Sequence, residues 1–124
     1  MGNDRKKPDP AEHLPLTPAV FHVLLALADG DKHGYAIMKE VERRTDGKVR
    51  LSAGTLYGIV ARLLNEGMIS ETERRPAPEL DDERRRYYQL SQFGREVAAA
   101  EAGRMESAIA LAHAKNLFVR TRIV

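Results

Sequence analysis

Residues 52–66 read SAGTLYGIVARLLNE, and the predicted fold depends on this segment. Ser52 is placed to cap a helix, and Gly67 is placed to end it. At 100° per residue, the aliphatic side chains gather on one face of that helix, which we expect to pack inward. These side chains are Leu56, Ile59, Val60 and Leu63. The segment is therefore predicted to be an amphipathic helix from Ser52 to about Glu66.

The opposite face of this helix is made of small residues with polar or aromatic flanks. It carries Gly54, Gly58, Ala61 and Asn65, with Thr55 and Arg62 on one flank and Tyr57 on the other. Small residues let a backbone approach another surface closely, and flanking hydroxyl and guanidinium groups can reach phosphates. We therefore predict a recognition helix in a DNA major groove, with its amides around residues 52–55 directed at phosphate. The alternative is an ordinary amphipathic helix with an unspecialised surface.

Two further helices are predicted before this segment. Thr17 can cap the first, which runs over about residues 18–28 and ends at Gly30. The second runs over about residues 33–45, with an apolar face and a charged face, and residues 46–47 stop it. Three helices that each end near a glycine are typical of a small right-angled helical cluster.

Strand-like patterns surround the third helix. Residues 48–51 are extended enough for a minimal strand, and residues 68–74 and 85–90 are predicted to form the two strands of a hairpin. The loop between them contains Pro76, Pro78, Asp81 and Asp82. Three helices followed by a hairpin form the plan of a winged helix-turn-helix. We therefore expect a mainly α fold with a small β-hairpin as the wing.

Arginines cluster where the predicted wing strands meet their loop. They are Arg74, Arg75, Arg84, Arg85 and Arg86. Five guanidinium groups at one end of a hairpin can straddle a phosphate backbone. The loop also carries Glu79, Asp81, Asp82 and Glu83. The alternative is therefore a salt-bridged loop that has no role in DNA binding.

A long helix is predicted after Ser91, reaching about Val119. Some 29 residues of α-helix would span about 43 Å, which is longer than the diameter of so small a domain. The projecting part has an apolar stripe, which we expect to pack against a second copy of the chain. The predicted dimer interface consists of Val97, Met105, Ala108, Ile109, Leu111, Ala112 and Phe118.

These elements predict three parts of the chain. Residues 1–13 are polar and contain two prolines, so we expect a flexible N-terminal arm. Residues 14–90 form the winged helix domain, and residues 91–124 form the dimerisation helix. The predicted contacts to double-stranded DNA are Tyr35, Ser52, Gly54, Thr55, Tyr57, Gly58, Arg62, Arg74, Arg75, Arg84, Arg85 and Arg86.

Composition excludes several classes of protein. The 124 residues are 43% hydrophobic and 31% charged, which indicates one globular domain without a membrane span. The N-terminal segment lacks the apolar region of a secretory signal, so we expect a cytoplasmic protein that does not bind membranes. The chain has no cysteine, which excludes disulfides and thiolate zinc sites. A net charge of +2 is too small to indicate a polyanionic partner by itself.

The sequence contains no recognisable catalytic pattern. Its histidines are His13, His22, His33 and His113. They form no HExxH pair, and the chain contains neither GxSxG nor a GxxxxGK phosphate loop. We therefore expect a protein that is not an enzyme and that uses neither a cofactor nor a metal.

Several motifs together carry a family resemblance. They are HGY at 33–35, SAGTLY at 52–57, RLLNEGMI at 62–69, and RYYQLS at 86–91 followed by Gly94. On these motifs the chain resembles the PadR family of transcriptional regulators over about residues 14–118. It is similar to the shorter subgroup, whose members have a single C-terminal helix.

The resemblance implies that Gly54, Thr55 and Tyr57 stand at the DNA face and Tyr35 lies near the DNA backbone. It also implies that the last helix forms the dimer interface, where small inducers can sit. We expect a repressor that binds an inverted-repeat operator as a homodimer and is released by a small aromatic or drug-like inducer. The chain departs from the family in its acidic wing tip and in its lack of Trp. The alternative function is a winged helix module that contacts only proteins.

Overall fold

The computed structural model describes residues 8–73 and 85–118. These residues form a 3-10 helix, four α-helices and three short strands. The α-helices are α1 (Pro18–Leu27), α2 (Gly34–Arg44), α3 (Ala53–Asn65) and α4 (Gln92–Ala114). The strands are β1 (Lys32–His33), β2 (Ile69–Thr72) and β3 (Tyr87–Leu90), and the 3-10 helix is Pro10–His13. The wing loop, with Arg74, Arg75 and Arg84, and arm residues 1–7 lie outside the described residues.

Side-chain caps begin the helices where the sequence predicted. The Thr17 hydroxyl accepts a hydrogen bond from Val20 N at 3.2 Å, and the Ser52 hydroxyl accepts one from Thr55 N at 3.1 Å. At the other end of α3, Gly67 adopts φ of 77°, a left-handed conformation that glycine reaches without strain. The predicted positions of α1 and α3 are therefore correct to within one or two residues.

The three strands form one antiparallel sheet in the order β1-β3-β2. The predicted hairpin is present, with Ile69 opposite Leu90 and Thr72 opposite Tyr87. The prediction of a strand at residues 48–51 is wrong, because β1 takes the free edge of β3 instead. The 48–51 segment is held to the end of α2 by Thr45, whose hydroxyl accepts a hydrogen bond from Val49 N at 3.0 Å.

One hydrophobic core joins the helices to the sheet. Helix α3 contributes Leu56, Val60 and Leu63, as its aliphatic face predicted, and Ile59 packs at the edge of the core. The other fully buried large side chains are Val23, Leu24, Leu27, Ile37, Val41, Met68 and Val97. The inward face of α3 is thereby committed to the protein interior, which leaves its small-residue face outside.

Helix α4 begins after Ser91 as predicted, but it ends earlier than predicted. It spans 23 residues, or about 34 Å, and ends at Ala114 rather than near Val119. Asn116 has φ of 60°, which turns the chain away from the helix axis. Phe118 therefore lies beyond the helix, and its ring stacks on that of His113 with 4.3 Å between the ring centroids. Val97 is fully buried in the protomer's own core, so its predicted place in a dimer interface is wrong.

The segment before α1 is tied to α4. The 3-10 helix packs against α4, and Leu16 N donates a hydrogen bond to the Glu101 carboxylate at 3.3 Å. Residues 10–13, which we expected to belong to a flexible arm, are therefore part of the folded domain. Among the described helices, none has both the length and the apolar character needed to cross a membrane.

Candidate nucleic-acid interface

The small-residue face of α3 is exposed along its length. Ser52, Gly54, Thr55, Tyr57, Gly58 and Arg62 are all exposed. A Cβ added at Gly54 or Gly58 would meet no described atom within 4 Å. The rest of the described protomer therefore leaves this face open, and another backbone can approach it closely.

The Ser52 hydroxyl makes two hydrogen bonds to Thr55 at the start of α3. It accepts a hydrogen bond from Thr55 N at 3.1 Å and donates one to Thr55 Oγ1 at 3.0 Å. At the far end of α3, Arg62 lies 3.4 Å from the Glu66 carboxylate and remains half exposed. Ser52 therefore fixes the helix N-terminus, while Arg62 remains accessible at the surface.

Tyr57 crosses from α3 to the start of α2. Its ring lies over Gly34, where an added Cβ would come within 2.8 Å of Tyr57 Cζ. The side chain is nevertheless 49% exposed, so its phenol remains available at the surface. Gly34, the middle residue of the HGY motif, is therefore explained by packing against Tyr57 as well as by its place at the start of α2.

Tyr35 is also exposed beside α3, at 55% of its surface. Its ring stacks on His33 with 6.5 Å between centroids, and Lys39 Nζ lies 5.6 Å from the ring centre. The Lys39 ammonium group is attracted to the face of the Tyr35 ring by a cation–π interaction. Tyr35 and Lys39 thus present a hydroxyl and an ammonium group from the same side of α2.

The described wing arginines lie at the base of the hairpin, just before β3. Arg85 Nη1 lies 3.1 Å from His33 Nε2, and Arg86 Nη1 donates to Glu71 Oε2 at 3.0 Å. Both arginines are exposed. The contact between Arg85 and His33 brings the wing base against the N-terminus of α2.

A cleft of about 400 Å³ lies between the wing base and the two helices. Its lining consists of His33, Gly34, Tyr35, Tyr57, Arg85, Arg86 and Tyr88. Burial, with the nearby Glu71 charge, raises the pKa of Tyr88, so its phenol keeps its proton. Sequence reasoning missed His33 and Tyr88 as members of this group, because their proximity depends on the pairing of β1 with β3.

A second exposed surface lies on α4. In the first half of the helix, Val97, Ala98 and Glu101 are buried against the protomer's own domain. At 100° per residue, Met105, Ala108, Ile109 and Ala112 continue the same face. Met105 and Ile109 are 40% and 47% exposed there. Leu111 is exposed as well, but it lies roughly 100° away from the centre of this stripe.

Nothing in residues 8–73 and 85–118 resembles a metal centre. These residues contain no group of three or more His, Cys, Asp or Glu side chains placed to hold an ion. Two of the described histidines have structural roles. His33 caps α2, and the His13 ring contacts Phe93 edge-on with 5.4 Å between centroids.

Comparison with protein families agrees with this geometry. A family model described as the transcriptional regulator PadR-like family matches residues 23–100. That range includes α2, α3, both hairpin strands and the start of α4. The match therefore covers the exposed face of α3 and the cleft.

Two curated proteins are similar over part of their length. A 37.1 kDa protein in transposon TN4556 of Streptomyces fradiae is 40% identical over 83 residues, which are 67% of this chain and 21% of that protein. Protein X of Lysinibacillus sphaericus is 27% identical over 73 residues, which are 59% of this chain and 64% of that protein. The chain thus spans about a fifth of the first relative and under two thirds of the second.

Solved structures share the fold. A transcriptional regulator from Clostridium thermocellum has a TM-score of 0.64 and 26% identity, with 82% of this chain and 90% of that one covered. A PadR family transcription regulator from Clostridium difficile has a TM-score of 0.62 and 20% identity, with 78% and 96% covered. At such identity the second structure supports the fold alone.

Proposed function

Because the chain belongs to the transcriptional regulator PadR-like family, we propose that it binds double-stranded DNA sequence-specifically as a homodimer and represses transcription. The observation that carries this proposal is the open face of α3, where Gly54 and Gly58 leave room for a close approach. An α-helix fits the major groove of B-form DNA, and a bare face brings its backbone near the base edges. The match to a family of regulators also confirms the expectation that the chain is not an enzyme.

The contacts to DNA fall into two groups in this proposal. Thr55, Tyr57 and Arg62 flank the open face and lie where a helix in the groove meets base edges or neighbouring phosphates. Tyr35, Arg85 and Arg86 lie farther out and contact the sugar-phosphate backbone. Arg74, Arg75 and Arg84 belong to the same wing and remain predicted backbone contacts.

The dimer is supported by the uncovered stripe of α4. Met105 and Ile109 expose large apolar side chains on the face that the domain covers in the first half of the helix. A second copy related by a twofold axis can cover this stripe with its own. Two recognition helices then face one side of the duplex and read an inverted repeat with half-sites about one helical turn apart. An inducer held between the paired helices would change their separation and release the DNA.

The test is selection of bound fragments from genomic DNA, followed by gel shift with the enriched sequence at increasing salt. We expect a sequence-selective shift that weakens steeply with salt, because phosphate contacts release counterions. A regulator of this kind acts where the chromosome is, so we place it in the cytoplasm. A winged helix module that contacts only proteins would enrich no sequence and show no selective shift, and that result would refute the proposal.

A further inference from the structure

Helix α2 presents two cations, Lys39 and Arg43, that are not among the DNA contacts predicted from the sequence. Ile37 and Val41 of this helix are buried in the core, and at 100° per residue Lys39 and Arg43 lie on the opposite side. Both cationic side chains are exposed. Lys39 Nζ lies 5.6 Å from the centre of the Tyr35 ring, and Tyr35 lines the cleft at the wing base. The two cations therefore continue along α2 from that cleft.

On the side of α2 that faces α1, positive and negative charges are paired. Glu40 lies 3.5 Å from Lys32 Nζ and 3.9 Å from Arg44 Nε, and it shares a depression with residues of α1. Lys39 and Arg43 differ, because neither forms an ion pair with a carboxylate in the part of the chain that the structure describes. They are also four residues apart, and like charges at this spacing on a helix repel each other. An anion bound from outside would relieve this repulsion.

A third cation extends the same surface to the start of α3. Lys39 and Arg43 line an open depression of about 310 Å³ together with Glu42. Glu42 in turn lies 3.9 Å from Arg50 Nε, and the Arg50 side chain is 74% exposed. Arg50 comes two residues before Ser52, which caps α3. Because these three cations outnumber the carboxylate between them, the surface that they form is positively charged.

We propose that Lys39, Arg43 and Arg50, which we call the α2 basic surface, bind the phosphate backbone of DNA beside the recognition helix. This inference rests on the proposed function and adds three cations to its backbone contacts. Its charge is complementary to a polyanion. It is also continuous with the proposed interface at both ends, through Tyr35 at the cleft and Ser52 at the start of α3. Contacts to phosphate add affinity for every duplex and no preference for a sequence.

The test measures operator affinity against salt concentration for wild type and for a triple variant with Lys39→Gln, Arg43→Gln and Arg50→Gln. Each lost phosphate contact lowers the slope of log affinity against log salt by about 0.9, so the plot should become shallower by about 2 to 3. At about 0.1 M salt the triple variant should bind about a hundredfold more weakly, and the two plots should converge toward about 1 M.

A scrambled duplex shows whether the lost contacts are to the backbone. At a salt concentration low enough to measure both duplexes, affinity for the operator and for the scrambled duplex should fall by a similar factor in the triple variant. The preference for the operator should therefore stay unchanged. A loss confined to the operator would mean that these side chains read bases, and it would overturn the inference.

Two single variants of α2 serve as controls. Arg44→Gln removes a positive charge from the same helix on the side that faces α1, and its slope should stay close to that of wild type. Glu42→Gln should tighten binding, because it removes a carboxylate that contacts Arg50 and repels phosphate. Weaker binding by a folded Glu42→Gln protein would count against the α2 basic surface. Circular dichroism of each variant establishes that a change in affinity comes from a folded protein.

The outcomes separate this inference from the proposed function. If wild type binds the operator selectively and the triple variant keeps the wild-type slope, the α2 basic surface does not bind the backbone and the inference is overturned alone. The same holds if the triple variant loses no more affinity than Arg44→Gln. If wild type binds no duplex selectively, both the inference and the proposed function fall.

Discussion

The phenol ring of Tyr57 lies across the backbone of Gly34, so that α3 and α2 meet through a side chain on one helix and a bare Cα on the other. A Cβ at position 34 would come within 2.8 Å of Tyr57 Cζ and 3.1 Å of Tyr57 Cε1. Both distances are shorter than ordinary van der Waals contact between carbon atoms. The position of Tyr57 therefore depends on the absence of a side chain at Gly34.

We expect Gly34→Ala to lower operator affinity by displacing Tyr57. The ring is half exposed and can swing outward, so the domain should remain folded while the phenol leaves its place. Tyr57→Ala should weaken binding by about tenfold or more, as expected for loss of a hydrogen bond to a charged group. Fluorescence anisotropy with labelled operator measures both effects. Full additivity in the double variant would contradict the relationship, because one position would then act without the other.

Gly94→Ala should destabilise the fold, because Gly94 packs against backbone. A Cβ there would strike the Met68 carbonyl oxygen and lie 2.9 Å from Leu90 Cδ1. Overpacking of this kind costs about 1–3 kcal/mol. Gly103 lies on the same helix, and an added Cβ there would meet no described atom within 4 Å outside the adjacent helix backbone. Gly103→Ala should therefore be stabilising by up to about 1 kcal/mol. Urea unfolding at fixed protein concentration compares the two variants, and equal effects would refute the packing argument.

Glu101→Gln should remove a pH-dependent contribution to stability. Glu101 is 2% exposed, and hydrogen bonds from Arg104 hold the pKa of its carboxyl below the ordinary value of 4.5, although burial opposes this. The pKa of Glu101 is lower in the folded state than in the unfolded state. The stabilisation that its charge provides is therefore fully present at pH values above the ordinary pKa of 4.5, and it is lost as the pH falls through the folded-state pKa. Wild type should therefore be the more stable protein at neutral pH, and the difference should shrink on acidification.

The measurement is the free energy of unfolding in urea for both proteins between neutral pH and about pH 3. Gln retains one oxygen that can accept from Leu16 N, so the substitution removes the charge interaction with Arg104 and one of the two hydrogen bonds that Arg104 donates to Glu101. A difference between the two proteins that stays constant over this range would show that the charge contributes nothing.

Ile109→Glu should prevent dimer formation. The substitution places a charge in the centre of the apolar α4 stripe, where a partner helix would have to bury it without a counterion. Operator affinity should fall as well, because a single half-site is held weakly. Ala110→Glu is the control, since Ala110 is exposed and lies on the opposite side of the helix. Sedimentation should give a monomer for the first variant and a dimer for the second, and a dimer for both would exclude this stripe as the interface.

The helices were predictable because their determinants are local. Ser52 begins α3 and Gly67 ends it, through a hydrogen bond and a backbone conformation that each involve only a few neighbouring residues. Helical periodicity then separates the buried face, which carries Leu56, from the open face, which carries Gly54. The hairpin could be predicted in the same way, from alternation on either side of a proline-containing loop. Membership of the family followed from motifs that these elements contain.

The cleft was decided by tertiary structure. His33 meets Arg85, 52 residues later in the chain, because β1 pairs with β3, and a two-residue strand has no recognisable pattern of its own. The end of α4 also escaped prediction, since apolar residues continue past Ala114 although the helix does not. Val97 shows the same limit: periodicity places it on an apolar face, but only packing decides that this part of the face is covered by its own domain. Local sequence thus determined which elements form and which faces are apolar, whereas long-range pairing and burial decided which residues meet.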